Sequence, residues 1–151
     1  MTHAETASRT PVFAFPARVY YEDTDAAGVV YYANYLKFFE RCRTEWIRAL
    51  GYDQSELAAQ HGIAFVVRRV DTDYRRPARL DDLLSIELAI EKLSPVRFVF
   101  RQVAVKQAGG VREELVSARV ELACVDPATM KPTPVPDWLR EQLNASLEDA
   151  R

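Results

Sequence analysis

The chain has 151 residues and a formal net charge of -2, and this length fits one domain with a sizeable core. So small a charge excludes a global field that would draw the protein to nucleic acid or to an anionic membrane. No apolar run approaches the roughly 20 residues of a membrane-spanning helix. The first ten residues are polar and lack the apolar region of a secretory signal. We therefore expect a cytoplasmic protein.

The N-terminal half predicts one strand and two helices. Residues 12–23 are rich in aromatic and β-branched side chains, although Pro16 interrupts this first strand. A long helix follows, which Gly51 is placed to end. Its apolar face consists of residues at helical spacing: Tyr35, Phe38, Phe39, Cys42, Trp46, Ala49 and Leu50. A shorter helix is predicted over 53–61, with Gly62 at its end.

From residue 63 onward apolar and polar residues alternate, which predicts strands. Four strands are expected, over 63–75, 84–91, 96–107 and 116–124. Short connections such as Gly109-Gly110 make neighbouring strands antiparallel, and a last short helix is predicted from Asp137. The fold class is therefore α+β, an antiparallel sheet around one long helix, with a poorly covered sheet face that favours a homo-oligomer. We expect an N-terminal tail over 1–11, one domain over 12–145 and a C-terminal tail over 146–151.

Two carboxylates, those of Asp23 and Asp25, lie between the first strand and the long helix. Gly28 permits a tight backbone path or the close approach of a ligand. The helix start supplies free N–H groups and the positive end of the helix dipole. Such a site suits acyl transfer, in which one group attacks or activates water and N–H groups stabilise the oxyanion. Alternatively, both aspartates only cap turns.

Other chemistries fit the sequence less well. A calcium loop would continue with further oxygen ligands, so we expect no metal. A haloacid-dehalogenase-type phosphatase would need Thr or Val at Ala27 and a parallel α/β fold. His3 lies in the tail and His61 near the end of the second helix, which leaves no Ser-His-Asp or Cys-His site. Cys42 and Cys124 form no CxxC motif and are expected to be buried, reduced thiols.

Three sequence blocks resemble the hotdog thioesterases of the 4-hydroxybenzoyl-CoA type, and most closely the Tol-Pal-associated acyl-CoA thioesterases. They are VYYEDTDAAGVVY (19–31) with 33–35, FFERCRTE (38–45), and IAFVVR (63–68) with YRRPARLDD (74–82). The resemblance runs from about Phe13 to about Leu143. It implies a five-stranded antiparallel sheet wrapped around one central helix, an acyl-CoA substrate and no cofactor. It also implies a homodimer or a dimer of dimers with active sites at the subunit interface.

The same resemblance implies roles for residues of the first block. Asp25 corresponds to the catalytic carboxylate, acting either as nucleophile or as general base, and Asp23 is then structural. The oxyanion donor falls on the backbone N–H at or beside Tyr32. Close relatives in the Tol-Pal-associated branch often carry His at that position, so an imidazole is absent here while the backbone donor remains.

Substrate-binding residues are also expected on the basis of this resemblance. Coenzyme A carries phosphates, so basic groups should flank the pocket, and the candidates are Arg68, Arg69, Arg75, Arg76, Arg79, Lys92, Arg97 and Lys131. By position, Arg97 and Lys131 fall nearest to residues that contact the nucleotide in the 4-hydroxybenzoyl-CoA enzymes. Tyr35, Phe65 and Val66 are candidates for an acyl pocket, although an apolar side chain at such positions is more often simply part of the core.

A second function remains open on the same fold. A non-catalytic scaffold would bind acyl-CoA or an acyl carrier protein and would work with membrane-lipid enzymes. Asp25 and Gly28 favour an active enzyme over this alternative. The sequence does not indicate which acyl group is bound.

Overall fold

A computed structural model describes residues 11–149, which form five strands and three helices in one α+β domain. The strands are β1 (Phe13–Arg18), β2 (Ala64–Tyr74), β3 (Leu83–Leu93), β4 (Arg97–Ala108) and β5 (Val111–Val125). The helices are α1 (Asn34–Ala49), α2 (Gln54–His61) and α3 (Asp137–Asp149). The predicted N-terminal tail lies almost entirely outside the described residues.

All five strands form one antiparallel sheet in the order β1-β3-β4-β5-β2. The strands β1 and β2 are therefore its edges. Pro16 is accommodated because it lies in the edge strand β1, opposite Ser85, where a missing N–H donor is tolerated. Gly109 and Gly110 connect β4 to β5 with φ angles of 61° and 79°. The predicted fold class is confirmed.

The helix α1 packs across β1, β3 and β4. Five of its predicted apolar residues are buried, namely Tyr35, Phe38, Phe39, Cys42 and Trp46. They meet the inner face of the sheet, where the Trp46 and Phe100 rings stack edge to face with centroids 5.4 Å apart. Burial of each large apolar side chain stabilises the fold by about 1.5–3 kcal/mol. The helix ends at Ala49, and Gly51 follows with a φ of 103°, as the sequence predicted.

Several predicted boundaries differ from the structure; β5, for example, begins at Val111 rather than at residue 116. The first strand ends at Arg18 rather than at residue 23, because the Asp23 carboxylate accepts a hydrogen bond of 2.8 Å from the Tyr20 N–H and closes a 3-10 turn over Tyr21–Asp23. The predicted limit at residue 145 falls inside α3. This helix continues to Asp149, and Leu147 packs against the core one turn beyond the buried Leu143.

Both cysteines are buried and free of disulfide bonds, as predicted. Burial raises the pKa of the Cys42 thiol to about 12 and that of Cys124 to about 11. Among residues 11–149, no helix is both long enough and apolar enough to cross a membrane.

Candidate active site

The predicted catalytic segment forms a tight hairpin between β1 and α1. Thr24 and Val30 pair across it, and the Asp25 N–H donates to the Val29 carbonyl at 2.9 Å. The Gly28 N–H donates to the Asp25 carbonyl at 3.0 Å. Gly28 has a φ of 79°, a value that favours glycine, and no atom lies within 4 Å of the position a Cβ would take. Glycine at position 28 is therefore favoured by the backbone conformation of the turn and not by a close packing contact.

The Asp25 carboxylate is exposed at the tip of this hairpin. Its Oδ1 atom accepts a hydrogen bond of 2.9 Å from the Ala27 N–H, which holds the side chain over its own turn. Oδ2 has no hydrogen-bond partner among residues 11–149. One oxygen thus orients the carboxylate, and the other is available to a reacting group.

Both oxygens of the neighbouring carboxylate, that of Asp23, accept hydrogen bonds. Its Oδ2 accepts from the Tyr20 N–H and its Oδ1 from the Asn34 Nδ2, both at 2.8 Å. Asn34 is buried and is the first residue of α1. These contacts tie the hairpin to the helix and support a structural role for Asp23.

The chain enters α1 through Tyr31, Tyr32 and Ala33. The Asn34 N–H donates to the Tyr31 carbonyl at 2.8 Å, and the Tyr74 hydroxyl donates to the Tyr32 carbonyl at 3.1 Å. Within the described part of the chain, the N–H groups of Tyr32 and Ala33 donate to no acceptor. Unsatisfied N–H groups at a helix start are the kind of donor that stabilises an oxyanion.

A cavity of about 240 Å³ adjoins this helix start. It is lined by Val30, Tyr32, Tyr35, Tyr74, Arg75, Arg76 and Pro77. The Tyr35 hydroxyl is buried and accepts a hydrogen bond of 3.0 Å from the Ala78 N–H, and burial raises the pKa of Tyr35. Tyr35 therefore lines this cavity and also fixes the segment that pairs with the hairpin.

The other two predicted acyl-pocket residues lie elsewhere. Phe65 lines a separate cavity of about 140 Å³ between α1 and β2. Val66 lines neither cavity, because side chains alternate along β2 and its neighbours Phe65 and Val67 face the helix. The structure thus does not bring Tyr35, Phe65 and Val66 into one pocket within a single chain.

The predicted phosphate-binding residues lie at the opposite end of the sheet. Arg97 pairs with Ala123 of β5, whereas Tyr74, beside the helix start, pairs with Val116 of the same strand. These two pairs are seven residues apart along β5, or about 23 Å at roughly 3.3 Å per residue. Lys131 follows β5, and its carbonyl accepts a hydrogen bond of 2.9 Å from the Asp126 N–H. Neither basic residue is near Asp25 of its own chain.

Two other basic candidates lie next to the helix start. Arg75 contacts Asp73 at 3.1 Å and Arg76 contacts Glu113 at 3.1 Å. Both pairs are exposed, and exposed pairs of this kind contribute about 0–1 kcal/mol. A substrate phosphate could therefore compete for Arg76 at little cost, whereas Arg75 also contacts the less exposed Glu114 at 3.7 Å.

Sequence reasoning did not identify two polar contacts that shape this region. One is the bond from Tyr74 to Tyr32, which joins β2 to the start of α1. The other is a bond of 2.9 Å from Arg43 of α1 to the buried Gln102 of β4. The sequence signal for the second contact was the polar Gln102 in an otherwise apolar strand pattern. That pattern does not indicate that Arg43 is its partner.

Comparison with known proteins places the chain in a family. The family model described as Thioesterase-like superfamily matches residues 19–143. The chain belongs to this superfamily. Among the relatives of this thioesterase is the acyl-CoA thioester hydrolase YbgC of Escherichia coli O6:H1, with 46% identity over 127 residues, covering 84% of this chain and 92% of the relative. The acyl-CoA thioesterase YbgC of Haemophilus influenzae is 45% identical over 124 residues, covering 82% and 88% respectively.

Solved structures agree with this assignment. A probable thioesterase from Bartonella henselae superposes with a TM-score of 0.75 at 40% identity, covering 82% of this chain and 98% of that one. Slr0204, a 1,4-dihydroxy-2-naphthoyl-CoA thioesterase from Synechocystis, has a TM-score of 0.79 at 23% identity, covering 87% and 95%, and shows the fold alone. The predicted hotdog thioesterase family is thereby confirmed.

Proposed function

We propose that this thioesterase acts in the cytoplasm and hydrolyses acyl-CoA thioesters to a free acid and coenzyme A. The observation that carries the proposal is the Asp25 carboxylate, which is fixed through one oxygen and open at the other. Free N–H groups at the start of α1 belong to the same hairpin-to-helix segment. Relatives named as acyl-CoA thioester hydrolases, at up to 46% identity, support the choice of substrate.

In this proposal Asp25 acts in one of two ways. It attacks the thioester carbonyl, expels the thiolate and forms a mixed anhydride that water then hydrolyses, or it removes a proton from an attacking water. Either route develops negative charge on the carbonyl oxygen, and the backbone N–H of Tyr32 is the proposed donor to that oxygen. A thiol pKa near about 8.5 means that the leaving group needs little protonation.

The proposed reaction does not use histidine. The position of Tyr32 carries no imidazole, and a backbone donor does not depend on the side chain. His61 is on α2, where its ring packs at a tilt against Trp138, with centroids 4.8 Å apart, and edge to face with Tyr52, with centroids 6.0 Å apart. The carboxylate of Asp25 therefore acts alone as the acid–base group or nucleophile.

We further propose that two subunits form each site. Arg97 lies about 23 Å along the sheet from Tyr74, which contacts the helix start of the same chain, and Lys131 follows the same end of β5. In this arrangement Arg97 and Lys131 bind the coenzyme A phosphates of a substrate whose thioester lies at the Asp25 of a second subunit. Exposed aromatic residues around the hairpin, Tyr20, Tyr21, Tyr31 and Tyr32, support a homodimer or dimer of dimers, because aromatic residues are enriched at interfaces.

The test is a thiol-release assay of the full chain over short, long and aromatic acyl-CoA esters. Hydrolysis of at least one class supports the enzyme. Flat traces with every ester, together with measurable acyl-CoA binding, would instead favour a scaffold that binds acyl-CoA or an acyl carrier protein for membrane-lipid enzymes. The Asp25→Asn protein serves as the negative control.

A further inference from the structure

The guanidinium of Arg43 is a partly buried cation that is held in place. Its Nη1 donates to the Gln102 Oε1 at 2.9 Å, and the Gln102 Nε2 donates to the Phe39 carbonyl at 3.0 Å. Gln102 is fully buried. Within residues 11–149, no carboxylate forms an ion pair with Arg43. Burial lowers the pKa of Arg43, which reflects the cost of keeping a charge away from water.

This cation faces the cavity of about 140 Å³ between α1 and β2. The rest of the wall is largely apolar and aromatic, formed by Trp46, Ile47, Phe65, Phe98, Phe100 and Leu122. A cavity of about 150 Å³ is known to hold benzene, so this space fits a chain or ring of about six carbons. A charge on such a wall is stabilised when an anion binds to it.

The acidic residue at the same cavity, Glu40, forms no ion pair with Arg43 within residues 11–149, although its charge partly opposes the lowering of the Arg43 pKa. Glu40 is exposed, and its Oε2 accepts a hydrogen bond from the Thr44 hydroxyl. Gln54 donates to the same Thr44 oxygen at 3.1 Å. Glu40 is thus engaged at the rim, and Arg43 is the charged group that remains available inside.

Both cavities lie between α1 and β2: Tyr35 and Tyr74 line the one at the helix start, and Arg43 and Val67 line the other. Because α1 packs on β1, β3 and β4, the inner face of β2 is left more open, and Val67 is 47% exposed. At the other end of β2, Tyr74 contacts Tyr32 at the helix start. Arg43 is nine residues beyond Asn34, or about 13 Å at roughly 1.5 Å per residue. Helical side chains lean toward the N-terminus, so the Arg43 side chain leans toward the helix start.

We propose that Arg43 selects acyl groups that carry a carboxylate at the end remote from the thioester. The substrate class is then the mono-CoA ester of a dicarboxylic acid, with the thioester at the start of α1 and the free carboxylate on Arg43. This inference rests on the proposed hydrolase activity and concerns only the acyl end of the substrate.

The test compares matched esters of equal chain length. Adipyl-CoA is measured against hexanoyl-CoA, and suberyl-CoA against octanoyl-CoA, as ratios of kcat/KM. The intact protein should favour the dicarboxylic member of at least one pair. Arg43→Gln should reduce that ratio about tenfold or more, the effect of losing a charge-assisted hydrogen bond. Arg41→Gln, which removes an exposed charge from the same helix, should keep the ratio.

A second variant covers the case in which Arg43→Gln does not fold. Val67 lines the same cavity and is half exposed, so Val67→Glu supplies Arg43 with an internal carboxylate and should also remove the preference. Equal kcat/KM within both ester pairs, or a preference that survives either variant, would overturn the role of Arg43 while leaving the hydrolase intact. Cleavage of none of these four esters would overturn this inference, and the hydrolase proposal fails with it only if the short, long and aromatic esters of the wider panel are not cleaved either.

Discussion

The Tyr74 hydroxyl, at the end of β2, donates a hydrogen bond of 3.1 Å to the backbone carbonyl of Tyr32. This contact joins an edge strand of the sheet to the start of α1. The peptide bond is planar, so a fixed Tyr32 carbonyl also fixes the direction of the Ala33 N–H on the same peptide. The free N–H group of Ala33, next to the Tyr32 N–H that is the proposed oxyanion donor, is therefore oriented by a side chain from another element.

Removing this hydroxyl should affect catalysis more than folding. We expect Tyr74→Phe to lower kcat several-fold, because the peptide between Tyr32 and Ala33, next to the proposed oxyanion donor, loses its anchor. The free energy of unfolding should fall by only about 0.5–1.5 kcal/mol, the usual contribution of one hydrogen bond. The measurements are kcat and a urea midpoint. Tyr20→Phe, at a tyrosine that is 62% exposed, is the control, and an equal effect of both variants on kcat would contradict the anchoring role.

Asp23 should be important for stability. Asp23→Ala removes the acceptor for the Tyr20 N–H and for the buried Asn34 side chain. A buried donor without a partner costs about 1–3 kcal/mol, so the denaturant midpoint should fall clearly. Asn34→Ala should lower the free energy of unfolding by a similar amount. The double variant should lose little more, because both substitutions remove the same hydrogen bond between Asn34 and Asp23. Additive losses in this double-mutant cycle would show that Asp23 and Asn34 act independently.

The difference between Asp23 and Asp25 illustrates what the sequence could not supply. Both are aspartates of one short segment, and the choice of Asp25 rested on family resemblance. Only the fold shows that Asn34 and Tyr20 occupy both oxygens of Asp23. By contrast, α1 was predictable, because its apolar residues recur every three or four positions and Gly51 follows the last turn.

The acyl-pocket residues show a second limit of sequence reasoning. Tyr35 and Phe65 are both aromatic and both belong to apolar patterns. The cavity that each one faces depends on how α1 lies across β1, β3 and β4. Periodicity identifies a buried face, but it does not state which part of that face is left uncovered.

The buried thiols predict an alkaline loss of stability. In the unfolded chain both cysteines ionise near their ordinary value of 9.0, whereas in the folded chain the pKa of Cys42 is about 12 and that of Cys124 about 11. Above pH 9 the unfolded state therefore binds fewer protons, and the free energy of unfolding falls as pH rises toward 11. The slope is at most about 1.4 kcal/mol per pH unit for each thiol.

Chemical denaturation of the intact protein and of Cys42→Ala between pH 8 and pH 11 measures this effect. At pH 8 the free energy of unfolding of the variant should be lower than that of the intact protein, because the variant loses buried volume. Its free energy of unfolding should then fall less steeply as the pH rises. Other groups titrate in this window in both proteins and cancel in the comparison. Parallel curves would exclude a contribution of the Cys42 thiol.

The positions of Arg97 and Lys131 make a prediction about the subunit arrangement. Arg97→Ala combined with Lys131→Ala should raise KM for acyl-CoA and leave kcat nearly unchanged, because phosphate contacts remote from the reacting atoms act on binding. Lys37→Ala, an exposed change on α1, is the matched control. An unchanged KM in the double variant would remove both residues from the substrate site.

If these residues serve a second subunit, activity can be restored by mixing. Inactive Asp25→Asn chains and double-variant chains should form some mixed dimers in which one site carries an intact Asp25 together with intact Arg97 and Lys131. The KM of that population should return toward the original value. A mixture whose KM stays at the double-variant value would contradict the shared site.

The most direct test is the turnover of Asp25→Asn on the best acyl-CoA ester. The substitution keeps the oxygen that accepts from Ala27, and the side chain is exposed, so the melting temperature should match that of the intact protein. Without a carboxylate, kcat should fall by a factor of about 100 or more, as expected for loss of a nucleophile or general base. Hydrolysis by the purified, folded variant at a rate near that of the intact protein would contradict the assignment of Asp25.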